Sequence, residues 1–217
     1  MTKSVFTKFD SYSTKEIESE ADLIPLMTSE DEEALNKEAL PKSIRLLPLK
    51  NTVLFPGVVI PITASRDKSI ELIKDANNTD KVIGVIAQKD KSVENPGAND
   101  IYNLGTVARI LRVLKMPDGN TTVIIQGKKR FKIEKIISEE PYLKAKINSV
   151  EDLPLESNNK EFLAIVDSIK DLALQIIQEN PNIPSEASFA IKNINSSSFL
   201  INFVSSNMNL SVSDKQK

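Results

Sequence analysis

The chain has 217 residues, 40% of them hydrophobic and 27% charged, which is enough apolar mass for a packed core in one or two domains. It contains no cysteine and no histidine, and this excludes disulfides, thiolate metal sites and every Ser-His or Cys-His catalytic pair. The net charge of −2 is unevenly spread: residues 1–40 carry 4 basic and 10 acidic side chains, 41–160 carry 20 and 14, and 161–217 carry 4 and 6. An acidic leader, a basic middle and a near-neutral tail read as three separately built segments, 1–42, 43–153 and 154–217.

In the leader, Ser and Thr alternate with acidic residues and apolar periodicity is weak, so it is expected to be flexible. Within it, Ser29 and Glu32 have the spacing of a capping box for one short helical turn. There is no apolar h-region near the N-terminus, and no apolar run approaches the ~20 residues that a membrane span needs. A reducing cytoplasm is the expected setting.

From residue 43 to 150 the pattern has period two. Strands are predicted over 44–49, 58–63, 81–88, 105–115, 121–126, 131–137 and 142–150, with one helix over 66–76. Residues 46–62, LLPLKNTVLFPGVVIPI, are apolar but cut by Pro48, Pro56 and Pro61. Prolines confine such strands to edges, ends and bulges, and Phe55-Pro56-Gly57 predicts a sharp turn with positive φ at the glycine. The segment should bend around a core and bury Leu47, Leu49, Val53, Leu54 and Phe55. Met116-Pro117-Asp118-Gly119-Asn120 predicts a tight hairpin joining 105–115 to 121–126. Many short strands with one small helix indicate an α+β chain built on a β-barrel.

After residue 158 the period becomes helical. Phe162, Ile165, Val166, Ile169, Leu172, Ala173, Ile176 and Ile177 recur at i, i+3, i+4, i+7 spacing and are read as a core-facing stripe. Asn180-Pro181 should end that helix. A second helix is expected from about Ser185 to Ile194, a third over 196–209, and a fourth is capped by Ser211 but stops within a turn. So short a last helix is the reading expected of a piece of a longer chain.

LPLKNTVLFPGVVIPI, RDKSIELI, KVIGVIAQKD, YNLGTVARILRVLKMPDG, GKKRFKI and PYLKAKI resemble, in this order, the N-terminal domain of bacterial Lon, the ATP-dependent protease. IPSEASFAIKNI and SFLINFVSSNMNLS resemble the helical region that follows it. The resemblance implies a PUA-like β-barrel (related to pseudouridine synthase and archaeosine transglycosylase) with a helical bundle after it. It also implies a non-catalytic substrate-recognition role, the capture of unfolded or damaged proteins, and a part in organising a homohexamer. ATP, Mg and the Ser-Lys endopeptidase would belong to other domains of such a parent. No cofactor or metal is expected within these residues.

Ser65–Lys68 and Ser157–Lys160 both fit S-x-x-K, but about two chance matches are expected at this composition, and Ser65 is better read as a helix N-cap. Gly127-Lys128-Lys129 lacks the spacing and hydroxyl of a P-loop. Arg109, Arg112, Lys115, Lys128, Lys129, Arg130, Lys132 and Lys135 concentrate positive charge near the hairpin, and a PUA-like RNA-binding module is the alternative reading. Phe131 is the one aromatic among them, and single strands want stacking platforms. Strand parity yields the candidate substrate-binding residues. Val59 and Pro61 fall opposite the inward face of their strand, Ile124 is an aliphatic on an otherwise polar face, and Met116 sits at the hairpin tip.

Overall fold

A computed structural model describes residues 38–116, 119–151, 159–180 and 186–217. The leader with its Ser29 capping box, and Pro117 and Asp118 of the hairpin, lie outside the described residues. Six strands form one mixed sheet: β1 Ser43–Leu49, β2 Val59–Ala64, β3 Val82–Gln88, β4 Ile101–Lys115, β5 Thr121–Ser138 and β6 Lys144–Ser149. Their order is β2-β5-β4-β3-β1-β6, and β5 also pairs with β6. Five strands therefore close into a ring, and β2 is attached to it through β5 alone among the described strands.

The β1–β3 pair is parallel and the other pairings are antiparallel. Parallel neighbours need a crossover, which β2 and helix α1 (Asp67–Asn78) supply. Helix α1 buries Leu72, Ile73 and Ala76 against a core that includes Leu47, Leu49, Val85, Ile110 and Ile125. Arg45 of β1 fastens the helix from outside. Its Nε donates to Asp75 Oδ2 at 2.8 Å and its guanidinium reaches Asp80 at 3.0 Å, while the Tyr142 hydroxyl donates to the same Asp75 oxygen. The hydrogen bond from Tyr142, followed by that from Arg45, holds the Asp75 carboxyl below the usual carboxylate range.

The proline-cut run folds as its composition dictates. Gly57 has φ +79°, and the Val58 N–H returns to the Phe55 carbonyl at 3.2 Å, the signature of a tight turn with Pro56 at its second position. Leu47, Leu49 and Leu54 are buried. Val53 and Phe55 are only half-buried, and Phe55 packs with the C-terminal helices, outside the clusters that fill the ring. The expected hairpin is present: Lys115 faces Thr121, the Gly119 N–H donates to the Met116 carbonyl at 3.1 Å, and Gly119 has φ +85°.

Three expectations need correction. Residues 121–126 and 131–137 are one continuous strand, because Gly127 lets the Phe55 carbonyl approach where any Cβ would collide at 2.3 Å. The strand changes partner there, pairing with β2 before Gly127 and with β6 after it. Ser65 does not cap α1; Arg66 is the N-cap residue, and no side chain caps the first turn. The third correction concerns the helical stripe.

Helices α2 (Lys160–Glu179), α3 (Glu186–Asn193), α4 (Ser197–Asn207) and α5 (Val212–Lys215) follow, with Asn159, Ser196 and Ser211 as N-caps of α2, α4 and α5. Phe162, Val166, Ala173, Leu174 and Ile177 of α2 pack with Ile191, Ile194, Phe199 and Leu200, and this cluster meets the sheet at Phe55, Val58 and Ile60. Ile165, Leu172 and Ile176 are exposed, so three of the eight residues of the expected core stripe face outward. Helical period marks an apolar arc; it does not say how much of that arc a neighbour covers.

Candidate functional site

Strands β2 and β5 run in unbroken register from Val59 opposite Gln126 to Ala64 opposite Thr121. No bulge inverts the parity, so Val59, Pro61 and Thr63 share the outer face with Gln126, Ile124 and Thr122. A hydroxyl contact of 3.2 Å between Thr63 and Thr122 marks that face. Ile60 and Ile62, of opposite parity, pack on the buried core instead.

The structure places Pro61 directly across from Ile124. Pro61 is exposed, Val59 and Ile124 are half-buried, and none of the three belongs to the buried clusters of the described residues. Helix α1 packs mainly on β1, β3 and β4. On the far side of Ile124 the register shifts between Ile110 and Arg112 of β4. That bulge turns Leu111 outward, 48% exposed, beside Arg112. Leu111 is thus a neighbour that strand parity alone did not reveal. Met116, half-buried, lies at the hairpin end, four positions beyond Arg112, or roughly 13 Å along the strand. It is not brought together with the other three.

Two members of the basic concentration have partners elsewhere in the fold. Lys128 pairs with Glu38 and Arg130 donates to Asn202 Oδ1 at 2.8 Å, tying β5 to α4. Gly127-Lys128-Lys129 lies inside β5 and not in a strand-to-helix loop, so it does not fit a nucleotide-phosphate cradle. Among the described residues no group of three or more acidic side chains could hold a metal ion, and no helix is long and apolar enough to cross a membrane.

A ring of strands with an apolar strip on one outer edge and a helical unit packed against the sheet defines an α+β binding domain. Residues 43–217 match the family model described as the ATP-dependent protease La (LON) substrate-binding domain, and the chain belongs to that family. It is 62% identical over its whole length to the Lon protease of Flavobacterium johnsoniae, of which it covers 26%. It is 48% identical over 90% of its length to the Lon protease of Cytophaga hutchinsonii, covering 24% of that protein. The chain thus spans about a quarter of the length of the relatives it matches. The solved N-terminal domain of the Mycobacterium avium complex Lon protease shares the fold, with a TM-score of 0.64 at 21% identity over 81% of this chain and 88% of that one.

Proposed function

We propose that this chain is the non-catalytic substrate-recognition part of a Lon-type ATP-dependent protease of the cytoplasm, and that it holds exposed apolar segments of unfolded or damaged proteins. The acidic leader (1–42), the sheet (43–153) and the helical unit (154–217) are its three functional divisions. One observation carries the reading: Pro61 and Ile124 face each other across β2 and β5, with Val59 adjoining and none of the three in a buried cluster of the described residues. An unfolded segment offers apolar side chains, and a partly exposed aliphatic strip is the surface that takes them. Each such contact is weak. Six copies joined to ATPase and protease domains in a homohexamer would make capture effective through local concentration. ATP and Mg serve those other domains.

The test is fluorescence anisotropy of the chain against a permanently unfolded polypeptide and a single-stranded RNA, each at low and moderate salt. The proposal expects polypeptide binding that survives salt and drops at least about tenfold in Ile124→Asp, since a charge placed in an apolar contact must be stripped of water. RNA binding that collapses with salt, with no polypeptide binding, would overturn it in favour of a nucleic-acid module.

A further inference from the structure

Beyond that apolar strip, at the end of β2, the chain turns into α1 beside a small cleft of about 70 Å³. Arg66, Lys68 and Ser69 form one wall and the Asn95-Pro96-Gly97 loop forms another. Three features converge here. The first turn of α1 has no side-chain cap, so its backbone N–H groups open toward this end of the helix. Ser69 is only 7% exposed, yet its hydroxyl has no hydrogen-bond partner among the described residues. Ser69 lines the cleft, and its oxygen is not among fully buried unpaired atoms, so it keeps some contact with solvent.

Arg66 is the third feature. Its guanidinium makes one hydrogen bond, from Nη2 to the neutral Gln88 Oε1 at 2.9 Å, and no carboxylate lies within ion-pair distance among the described residues. Burial pushes its pKa down, the mark of a cation partly stripped of water; the charge of Glu94 opposes that shift. The other charges at the cleft are already engaged. Lys68 is neutralised by Glu140 at 2.6 Å, and Glu139, also in the wall, accepts from the Ala98 N–H at 3.4 Å. The carboxylate whose charge acts on Arg66 is Glu94, which lies beyond ion-pair distance and is itself held by Lys50 at 2.7 Å.

We infer that this cleft is a binding site for a small oxyanion, a phosphate or carboxylate group, held by the Arg66 guanidinium, the Ser69 hydroxyl and the first-turn amides of α1. Each donor suits such a group: the guanidinium as a two-point fork, the amides through the positive end of the helix, and the hydroxyl as a third donor. Glu139 in the wall and Asp67, the acidic residue of the first turn of α1, limit the affinity by repulsion.

The experiment is a ¹⁵N-¹H correlation NMR titration of the whole chain with inorganic phosphate and, separately, with acetate, against sodium chloride at matched ionic strength. Saturable shifts at the amides of Asp67, Lys68 and Ser69 and at Arg66 Nε are expected. Arg66→Gln should weaken binding at least about tenfold, as loss of a charged donor does. Ser69→Ala should weaken it several-fold, and Glu139→Gln should tighten it. The spectra themselves report whether each variant is folded. The tighter of the two anions identifies the source. Shifts that stay linear and are reproduced by chloride, or an Arg66→Gln variant that binds like the parent, would overturn the assignment.

Discussion

Replacing Gly127 by alanine tests whether the Phe55-Pro56-Gly57 turn is held to β5 by backbone fit. The added Cβ would stand 2.3 Å from the Phe55 carbonyl oxygen, 3.1 Å from its carbon and 3.2 Å from Leu54 Cγ. The first of these is more than 1 Å short of the ~3.5 Å at which non-bonded atoms rest. The colliding atoms are backbone, so no rotamer change relieves them, and the turn itself must retreat. Two hydrogen bonds resist, from Gly57 N–H to the Gly127 carbonyl and from Gly127 N–H to the Val58 carbonyl, both 2.9 Å. Overpacking of this kind costs about 1–3 kcal/mol and each weakened hydrogen bond about 0.5–1.5 kcal/mol, for a loss of roughly 2–6 kcal/mol. At ~2–4 °C per kcal/mol for a chain of this size, the melting temperature should fall by roughly 4–24 °C. Gly119→Ala is the internal comparison: Gly119 has φ +85° but no atom within 4 Å of the place an alanine methyl would take, so backbone strain of about 1–2 kcal/mol is its whole cost. Urea and thermal unfolding followed by far-ultraviolet circular dichroism measure both. A Gly127→Ala variant that loses no more stability than Gly119→Ala would refute the argument from backbone fit.

Other consequences can be checked with the same unfolding assays. Because Tyr142 and Arg45 depress the Asp75 pKa, the stability Asp75 contributes is complete at neutral pH and is lost as pH falls through that depressed value. Tyr142→Phe should raise the Asp75 pKa toward the ordinary carboxylate value, read by carboxyl-carbon NMR, and flatten the acid limb of stability. Gln88 is 1% exposed and its amide donates to the Asp90 and Val93 carbonyls, so Gln88→Ala should cost about 2–4 kcal/mol by orphaning two acceptors. Ile191→Ala, inside the helical cluster, should cost about 2–5 kcal/mol, whereas Leu172→Ala on exposed α2 should stay within about 0.5 kcal/mol. Equal losses at 191 and 172 would mean that the outer stripe of α2 is covered.

Local chemistry makes much of this fold readable from the sequence. A proline beside a glycine dictates the turn at 55–57, Asp-Gly marks the hairpin, and changes of period separate sheet from helices. The outer placement of Pro61 and Ile124 follows from alternation alone, because no bulge interrupts that stretch of β2 and β5. What stays hidden depends on partners distant in sequence. Gly127 reads as a break because its need to admit the Phe55 backbone, 72 positions earlier, has no local signature. The outward turn of Leu111 depends on a bulge that alternation does not announce. The α2 stripe reads as core because apolar periodicity is the same whether or not a neighbour arrives to cover it. Nothing local sets Arg66 apart from an ordinary surface charge; its lack of a carboxylate partner is a fact of three dimensions.

Pro61 has one more consequence. The Gly127 N–H bonds to the Val58 carbonyl, so along β2 the residues of even number pair with β5 and those of odd number turn their polar groups to the unpaired edge. The missing N–H of Pro61 therefore falls in the middle of that edge, where an incoming chain would have to be zipped on as a seventh strand. Under the proposed function, a surface that met unfolded polypeptide repeatedly would be exposed to a particular hazard, that the guest nucleates a growing sheet on its host. With the ladder interrupted at its centre, contact would be left to side chains, and what was gripped there could also be let go.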